Sequence, residues 1–413
     1  RTRKLSRSRK SGTSNQATGM KIAILTSGIL PIPAVQGGAV ENLIDYYLEY
    51  NNQHRLHDIT VYSIAPPYST PKADTECTHY HYVGTTSLFH RLKRAWFVRR
   101  AAQKEGYYSP YIEYFLREAM KHIKRQHFDA IILENRPGYA LPLSEVTDAK
   151  LIVHLHNDFL NSESKQAQAI ARACHSVITV SDFIKQRVET VLSPQLKVIT
   201  VHNGINLPRF YQATPLSRSS LGFTDEDFIV VYSGRINREK GVKELIQAFK
   251  RLKDYPHIKL MVIGGSFFGN EQGADPFIQS LQAEAEELSN RIIFTGYVPY
   301  EQIPSYLKMA DVAAVPSMWD DPFPTTILEA MAAGLPIVAT HSGGIKESCG
   351  QCAIIVEKSS VIEGLYTSLL NLYNNPSCRT SMIEKGLSIS SKQYAKERYA
   401  EDFFKAIASM FDN

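Results

Sequence analysis

The sequence predicts an α/β fold made of two parallel-sheet halves, each wound on both faces with helices. Three observations carry that expectation. At 413 residues the chain is too long for one ordinary core and suits two domains of roughly 200 residues each. Short apolar runs alternate with helix-like stretches, the pattern of a parallel sheet covered on both sides. The pattern then restarts after a loop-like region near residue 205, give or take ten.

In the first half, KIAIL opens a strand that ends in a Gly and Pro turn, and PAVQGGAVENLIDYYLEY passes from glycines into a helical pattern. Further strands are expected at ITVYSIA (59–65), DAIILE (129–134), AKLIVHLH (149–156) and HSVITVS (175–181), with helices near 111–126 and 164–173. In the second half, strands are expected at 227–234, 258–265, 291–298, 311–317 and 335–344, with helices at 243–252 and 303–310. Residues 390–412 read as one helical stretch whose aromatics need a partner surface. The expected organisation is a basic tail at 1–19, a first domain at 20–205, a second at 206–389, and a C-terminal helix at 390–413 packing back across the domains.

Composition narrows the class. The chain is 44% hydrophobic and 21% charged, the balance of a globular protein. Its net charge of +5 comes from the tail. Six Lys and Arg lie in residues 1–19; taking them from 46 leaves 40 against 41 Asp and Glu, a balance of -1. No nucleic-acid partner is expected from that charge. Met20 reads as the natural start and the tail before it as an expression remnant, a native basic arm being the alternative. Five cysteines make no disulfide framework, and Cys349 and Cys352 lack the further ligands of a zinc site. With no signal peptide visible, the expected location is the cytoplasm.

Several residues stand where strands end, the place where such sheets bind ligands. GRINREKG puts Arg235 just after a strand and Lys240 before a helix. Two cations there suit a diphosphate; solvated surface charges are the plainer reading. Gly264 and Gly265 follow a strand and permit close backbone approach. Asp321 lies in a Pro-flanked loop, and Glu329 sits in a helix among Ala and Met, costly for an acid unless it is paired or ligand-bound. Thr325 and Thr326 open that helix, where free N–H groups meet anions or a hydroxyl simply caps the turn. Gly37 and Gly38 precede the first helix, whose opening turn holds Glu41, explained well enough by the helix dipole. Glu134, Asn135 and Arg136 follow a strand directly. His154 and His156 alternate on one strand and share a face. His156 is the better active-site candidate and His154 the better packed, hydrogen-bonded histidine. The pair hints at a metal, but the sequence places no third ligand.

Together these features resemble the retaining glycosyltransferases of family 4, over residues 21 to about 405. The most specific part is DPFPTTILEAMAAGLPIVAT, similar to that family's E-x7-E motif; PxxQGGAVE, the HNGI turn, GRxxxxKG and the final GG turn support it. The resemblance implies an α/β GT-B fold of two facing Rossmann-like domains with a deep interdomain cleft. It implies a nucleotide-sugar donor, a UDP-sugar ahead of a GDP-sugar, on the second domain and an acceptor on the first. Arg235 and Lys240 would clamp the diphosphate, Glu329 would bind the ribose, and Asp321 would contact the transferred sugar. Tyr297 and Val298 would pass near the base, Gly37 and Gly38 near the phosphates, and His156 would position the sugar. No tightly bound cofactor and no metal are expected. Two departures stand out: Asp321 occupies a position that is usually Glu, and Pro324 one that is often Gly.

HRLKRAWFVRRAAQK (90–104) holds six Lys or Arg and no acid. A basic helix with an aromatic edge can lie on an anionic membrane surface, which would suit a lipid-linked saccharide acceptor at the inner face. A packed helix with a solvated basic side is the plainer reading. Rival functions on the same fold are a nucleotide-sugar epimerase and a non-catalytic nucleotide-sugar sensor or scaffold. A dinucleotide dehydrogenase is disfavoured, because no GxGxxG follows the first strand.

Overall fold

The computed structural model describes residues 19–66, 72–83, 88–101, 107–265 and 275–412. Residues 1–18 of the basic tail and 102–104 of the basic segment lie outside them.

Among the described residues, seven strands form the first sheet: β1 (Lys21–Leu25), β2 (Asp58–Ile64), β3 (Thr78–Val83), β4 (Ala130–Glu134), β5 (Lys150–Leu155), β6 (Ser176–Thr179) and β7 (Lys197–Thr200). Six form the second: β8 (Phe228–Ser233), β9 (Ile258–Ile263), β10 (Ile292–Gly296), β11 (Val312–Val315), β12 (Ile337–Thr340) and β13 (Ala353–Val356). All pairings are parallel. The orders are β3-β2-β1-β4-β5-β6-β7 and β10-β9-β8-β11-β12-β13. Both sheets therefore start in the middle and reverse once, between β1 and β4 and between β8 and β11. Those reversals leave a crevice beyond the strand ends of each sheet.

Strand alternation explains the layers. Ile22 and Ile24 of β1 join one buried cluster while Ala23 and Leu25 join another. In β8, Phe228, Val230 and Tyr232 face one way and Ile229 and Val231 the other. The cluster containing Ala23 and Leu25 also contains Ile229, Val231 and Ile337, so apolar packing runs from one half into the other.

Strands β3, β7 and β13 were not apparent from the apolar runs. Each is an edge strand, and β3 (THYHYV) and β7 (KVIT) are largely half-buried, so their side chains need not be uniformly apolar. The C-terminal stretch also differs from one continuous helix. A helix Pro376–Gln393 stops, and a second runs over Lys396–Ser409. Between them the chain turns to pair with the interdomain linker: Ile205 N–H donates to the Tyr394 carbonyl at 2.8 Å, and Lys396 N–H to the Ile205 carbonyl at 3.0 Å. The last helix then packs on the first-domain helix Ala39–His54, with the Phe403 and Tyr47 rings stacked 4.3 Å apart. Burying a side chain like Phe403 stabilises the fold by about 1.5–3 kcal/mol.

The basic segment forms a helix, Leu88–Ala101, against the helix Pro110–Ile123. Its inner side is fastened by Lys93 to Glu118 at 3.0 Å and by Phe97 beside Tyr114. Arg91, Leu92, Trp96, Arg99 and Arg100 are exposed, spaced so that they share one outward face. No helix among the described residues is long and apolar enough to cross a membrane.

Candidate active site

The strand ends of the two sheets meet across a cavity of about 440 Å³. Its wall is built from the loops that the reversals of both sheets leave open. From the first half come Gly37, Gly38, Glu41 and His156; from the second come Arg235, Lys240, Gly264, Gly265, Tyr297, Val298, Asp321, Thr325, Thr326 and Glu329. The structure thus brings all thirteen residues expected at the site to one cleft, together with Glu41. Asn203, Tyr232, Tyr300 and Trp319 also line it, and the residue pattern alone did not single them out as site residues.

On the second-domain side, backbone packing sets the floor. Gly264 has φ +136°, and a Cβ there would lie 1.9 Å from the Gly234 carbonyl oxygen. Only glycine permits that approach. Gly264 N–H donates to the Gly296 carbonyl at 3.0 Å, and the Gly265 carbonyl accepts from Ile236 at 2.8 Å, so the loops after β8, β9 and β10 are stitched together. The Gly343–Gly344 turn after β12 does the same for the Asp321 loop. Gly344 N–H donates to the Asp321 carbonyl at 2.8 Å, and a Cβ on Gly344 would meet the Pro322 oxygen at 1.9 Å.

Charges are distributed along this wall. Lys240 Nζ lies 2.6 Å from Asp321 Oδ2 and 5.2 Å from the centre of the Trp319 ring. The shorter acid at 321 therefore already reaches a cation. Arg235 is exposed at the end of β8. Thr325 and Thr326 open the helix Thr325–Ala333, which begins after Pro324 without a side-chain cap, and both line the cleft. Glu329 lies one turn on and accepts the Tyr300 hydroxyl at 3.0 Å. Burial pushes its carboxyl up to about 7, against that hydrogen bond and the pull of Arg209.

The first-domain side is arranged differently. Glu134 ends β4 with no exposure. It accepts the Tyr47 hydroxyl at 2.8 Å and lies 3.0 Å from His156 Nε2 and 3.2 Å from His154 Nδ1. Asn135 follows with φ 57°, a left-handed conformation that Asn tolerates. Its side-chain oxygen accepts His156 N–H at 3.1 Å. Burial opposes ionisation of Glu134, but His154 and His156 outweigh it and hold the carboxyl well below the usual range. Burial and the neighbouring His154 pull His156 down to about 4. The third group that the sequence did not place beside the two histidines is thus Glu134. Ligand atoms of the three lie within 4.8 Å of one another, a spacing their direct hydrogen bonds account for. Glu41 is buried, and burial raises its carboxyl to about 7. A Cβ on Gly38, at φ +104°, would sit 2.2 Å from its Oε2, so Gly38 makes room for this acid.

The HNGI turn joins the two sides. Asn203 donates to the Phe323 carbonyl at 3.1 Å, and the His202 ring stacks on Phe323 at 4.9 Å. Glu347, beyond the Gly-Gly turn, accepts from Asp182 N–H at 2.8 Å and meets His202 Nε2 at 2.7 Å. This second-domain carboxylate therefore caps a first-domain helix, Asp182–Glu189.

Comparison with known proteins decides what class of molecule carries this cleft. Residues 50–209 match the family model for Glycosyltransferase Family 4, and residues 214–388 match that for Glycosyl transferases group 1. The chain belongs to the family 4 glycosyltransferases. Among its relatives, Bacillus subtilis YtcC is 28% identical over 89% of this chain and 84% of its own. The lipopolysaccharide 1,2-N-acetylglucosaminetransferase of Salmonella typhimurium is 27% identical over 80% and 84%. Anabaena HepE, solved in complex with UDP and glucose, superposes with a TM-score of 0.69 at 19% identity, covering 94% of this chain and all of HepE. The fold of this glycosyltransferase is accordingly GT-B, two Rossmann-like sheets facing across a cleft.

Proposed function

We propose that this glycosyltransferase moves a hexose or N-acetylhexosamine from a UDP-sugar to a saccharide or lipid-linked saccharide, with retention of anomeric configuration and without a metal. The observation that carries the reading is the convergence of two cations, Arg235 and Lys240, two acids, Asp321 and Glu329, and His156 on one cleft. The UDP and glucose bound by HepE and the N-acetylglucosamine moved by the Salmonella relative support the donor class.

In this reading the diphosphate lies against Arg235, Lys240 and the amides at Thr325 and Thr326. The ribose lies on Glu329 and the base near Tyr297 and Val298. The sugar meets Asp321 and His156, with the Gly37–Gly38 backbone near the phosphates. Breaking the sugar–phosphate bond leaves an oxocarbenium-like carbon and a diphosphate anion, which the cations stabilise. The acceptor oxygen bonds to that carbon on the face the diphosphate leaves, and its proton passes to a phosphate oxygen of the leaving group. No protein base and no covalent intermediate are needed, unlike a retaining hydrolase.

The test is ligand-detected NMR with UDP, GDP and ADP sugars, following each anomeric proton. Selective UDP-sugar binding with slow donor loss, and transfer with retained anomeric configuration once acceptor is added, is the expected result. No binding across the panel would overturn the donor site. Binding without turnover in the presence of membrane-extracted acceptors would favour the sensor.

The exposed face of Leu92, Trp96, Arg91, Arg99 and Arg100 fits the peripheral, inner-face location that a lipid-linked acceptor needs. Trp96→Ala with Arg99→Glu is expected to abolish co-sedimentation with phosphatidylglycerol vesicles while leaving UDP binding intact.

A further inference from the structure

His156 stands in the cleft wall, yet its two ring nitrogens have unlike surroundings. Nε2 faces Glu134 Oε2 at 3.0 Å, and Nδ1 is buried without any hydrogen-bond partner. Glu134 is fully buried and has its other oxygen occupied by the Tyr47 hydroxyl at 2.8 Å and His154 Nδ1 at 3.2 Å. Tyr47 is locked in turn between β4 and the stacked Phe403 ring. An ionised carboxylate only accepts. The His156 nitrogen facing it must therefore carry the proton, and the neutral ring then has its lone pair at Nδ1. The Asn135 side chain fixes the backbone of His156 through its N–H at 3.1 Å, so ring and backbone are held by adjacent residues at the end of one strand.

We propose that Glu134 is a positioning residue: from behind the cleft it sets His156 as the Nε2–H tautomer and presents Nδ1 as a hydrogen-bond acceptor for a hydroxyl of the transferred sugar. The inference rests on the reading of His156 as a sugar contact. A carboxylate that fixes a histidine tautomer is among the strongest outer contacts a site can have. Glutamine is the informative replacement. Its carbonyl can accept from one imidazole only, while its amide must donate to the other, which breaks the pattern with little change in volume.

The measurement is the nitrogen chemical shifts of His156 in ¹⁵N-histidine-labelled protein, together with donor kinetics for Glu134→Gln, Glu134→Asp and His156→Ala. In the parent protein Nε2 is expected to be protonated and Nδ1 bare between pH 6 and 8. Glu134→Gln is expected to mix the tautomers and lower kcat about 10- to 100-fold, with UDP affinity within about twofold, since in this reading UDP is held by the opposite domain; His156 then loses the carboxylate that favours its protonation, so any acidic limb moves to lower pH. Glu134→Asp is expected to recover part of the rate. Protonation at Nδ1 in the parent protein, or unchanged kcat in a folded Glu134→Gln variant, would overturn the proposal. Should Glu134→Gln fail to fold, the parent tautomer alone decides. If His156→Ala is itself without effect, the underlying reading of the cleft falls; if it is costly while Glu134→Gln is not, only the role of Glu134 falls.

Discussion

The two walls of the cleft solve the same problem, placing polar groups at the ends of buried strands, in opposite ways. On the first-domain wall the carboxylate of Glu134 is spent on its own neighbours, Tyr47, His154 and His156. On the second-domain wall Lys240 and Asp321 are paired at 2.6 Å, but the pair lines the cavity itself, where an incoming anion can compete for the lysine. The first wall is preorganised, so its cost was met in folding; the second holds charge in an exchangeable form. This is the division expected of a site that must fix a neutral sugar in one pose yet take up and release a diphosphate.

The comparison can be broken at its strongest point first. Arg235→Ala and Lys240→Ala should each lower kcat about 10²- to 10³-fold, the scale of losing one electrostatic contact to a developing anion; donor consumption by NMR reads it. A loss below tenfold in both would mean that charge on the second wall is not what stabilises the leaving group.

A smaller effect is expected at Glu329, the proposed ribose contact. Glu329 has its carboxyl raised to about 7 by burial, so its contribution to stability is fully present below the unfolded value of 4.5 and is lost as pH rises through about 7. Donor binding runs the other way, because the ionised form accepts two hydroxyls. UDP affinity in calorimetry should therefore rise between pH 6 and 8, and Glu329→Gln should bind about tenfold more weakly with that slope removed. Smallest of all, Tyr300→Phe deletes one hydrogen bond to Glu329, worth about 1 kcal/mol, and should weaken UDP about fivefold with kcat unchanged.

The difference between the walls also explains what was legible in the sequence. Part of the second wall is contiguous in the chain: Asp321, Thr325, Thr326 and Glu329 fall within one loop and one helix, so spacing and residue type expose them. The central strands were readable too, since runs such as KIAIL are apolar on both faces. The Glu134 cluster was not. Its partners come from the first helix and from the end of β5, and the parallel register sets Glu134 beside His154. Tyr300 and Trp319 were hidden because aromatic residues near strand ends look like core. Edge strand β3 was missed for its polar composition, and the turn at Tyr394 because helical composition on either side masks a two-residue break.

That break gives the molecule its mechanics. The chain crosses between the halves twice, at Ile205 and at Ala395, and the crossings lie side by side as a hydrogen-bonded parallel bridge. The two hydrogen bonds of that bridge tie the outgoing and returning crossings to one another, so the halves cannot part at the linker without breaking them, and the Glu347–His202 contact is a further tie between the same halves.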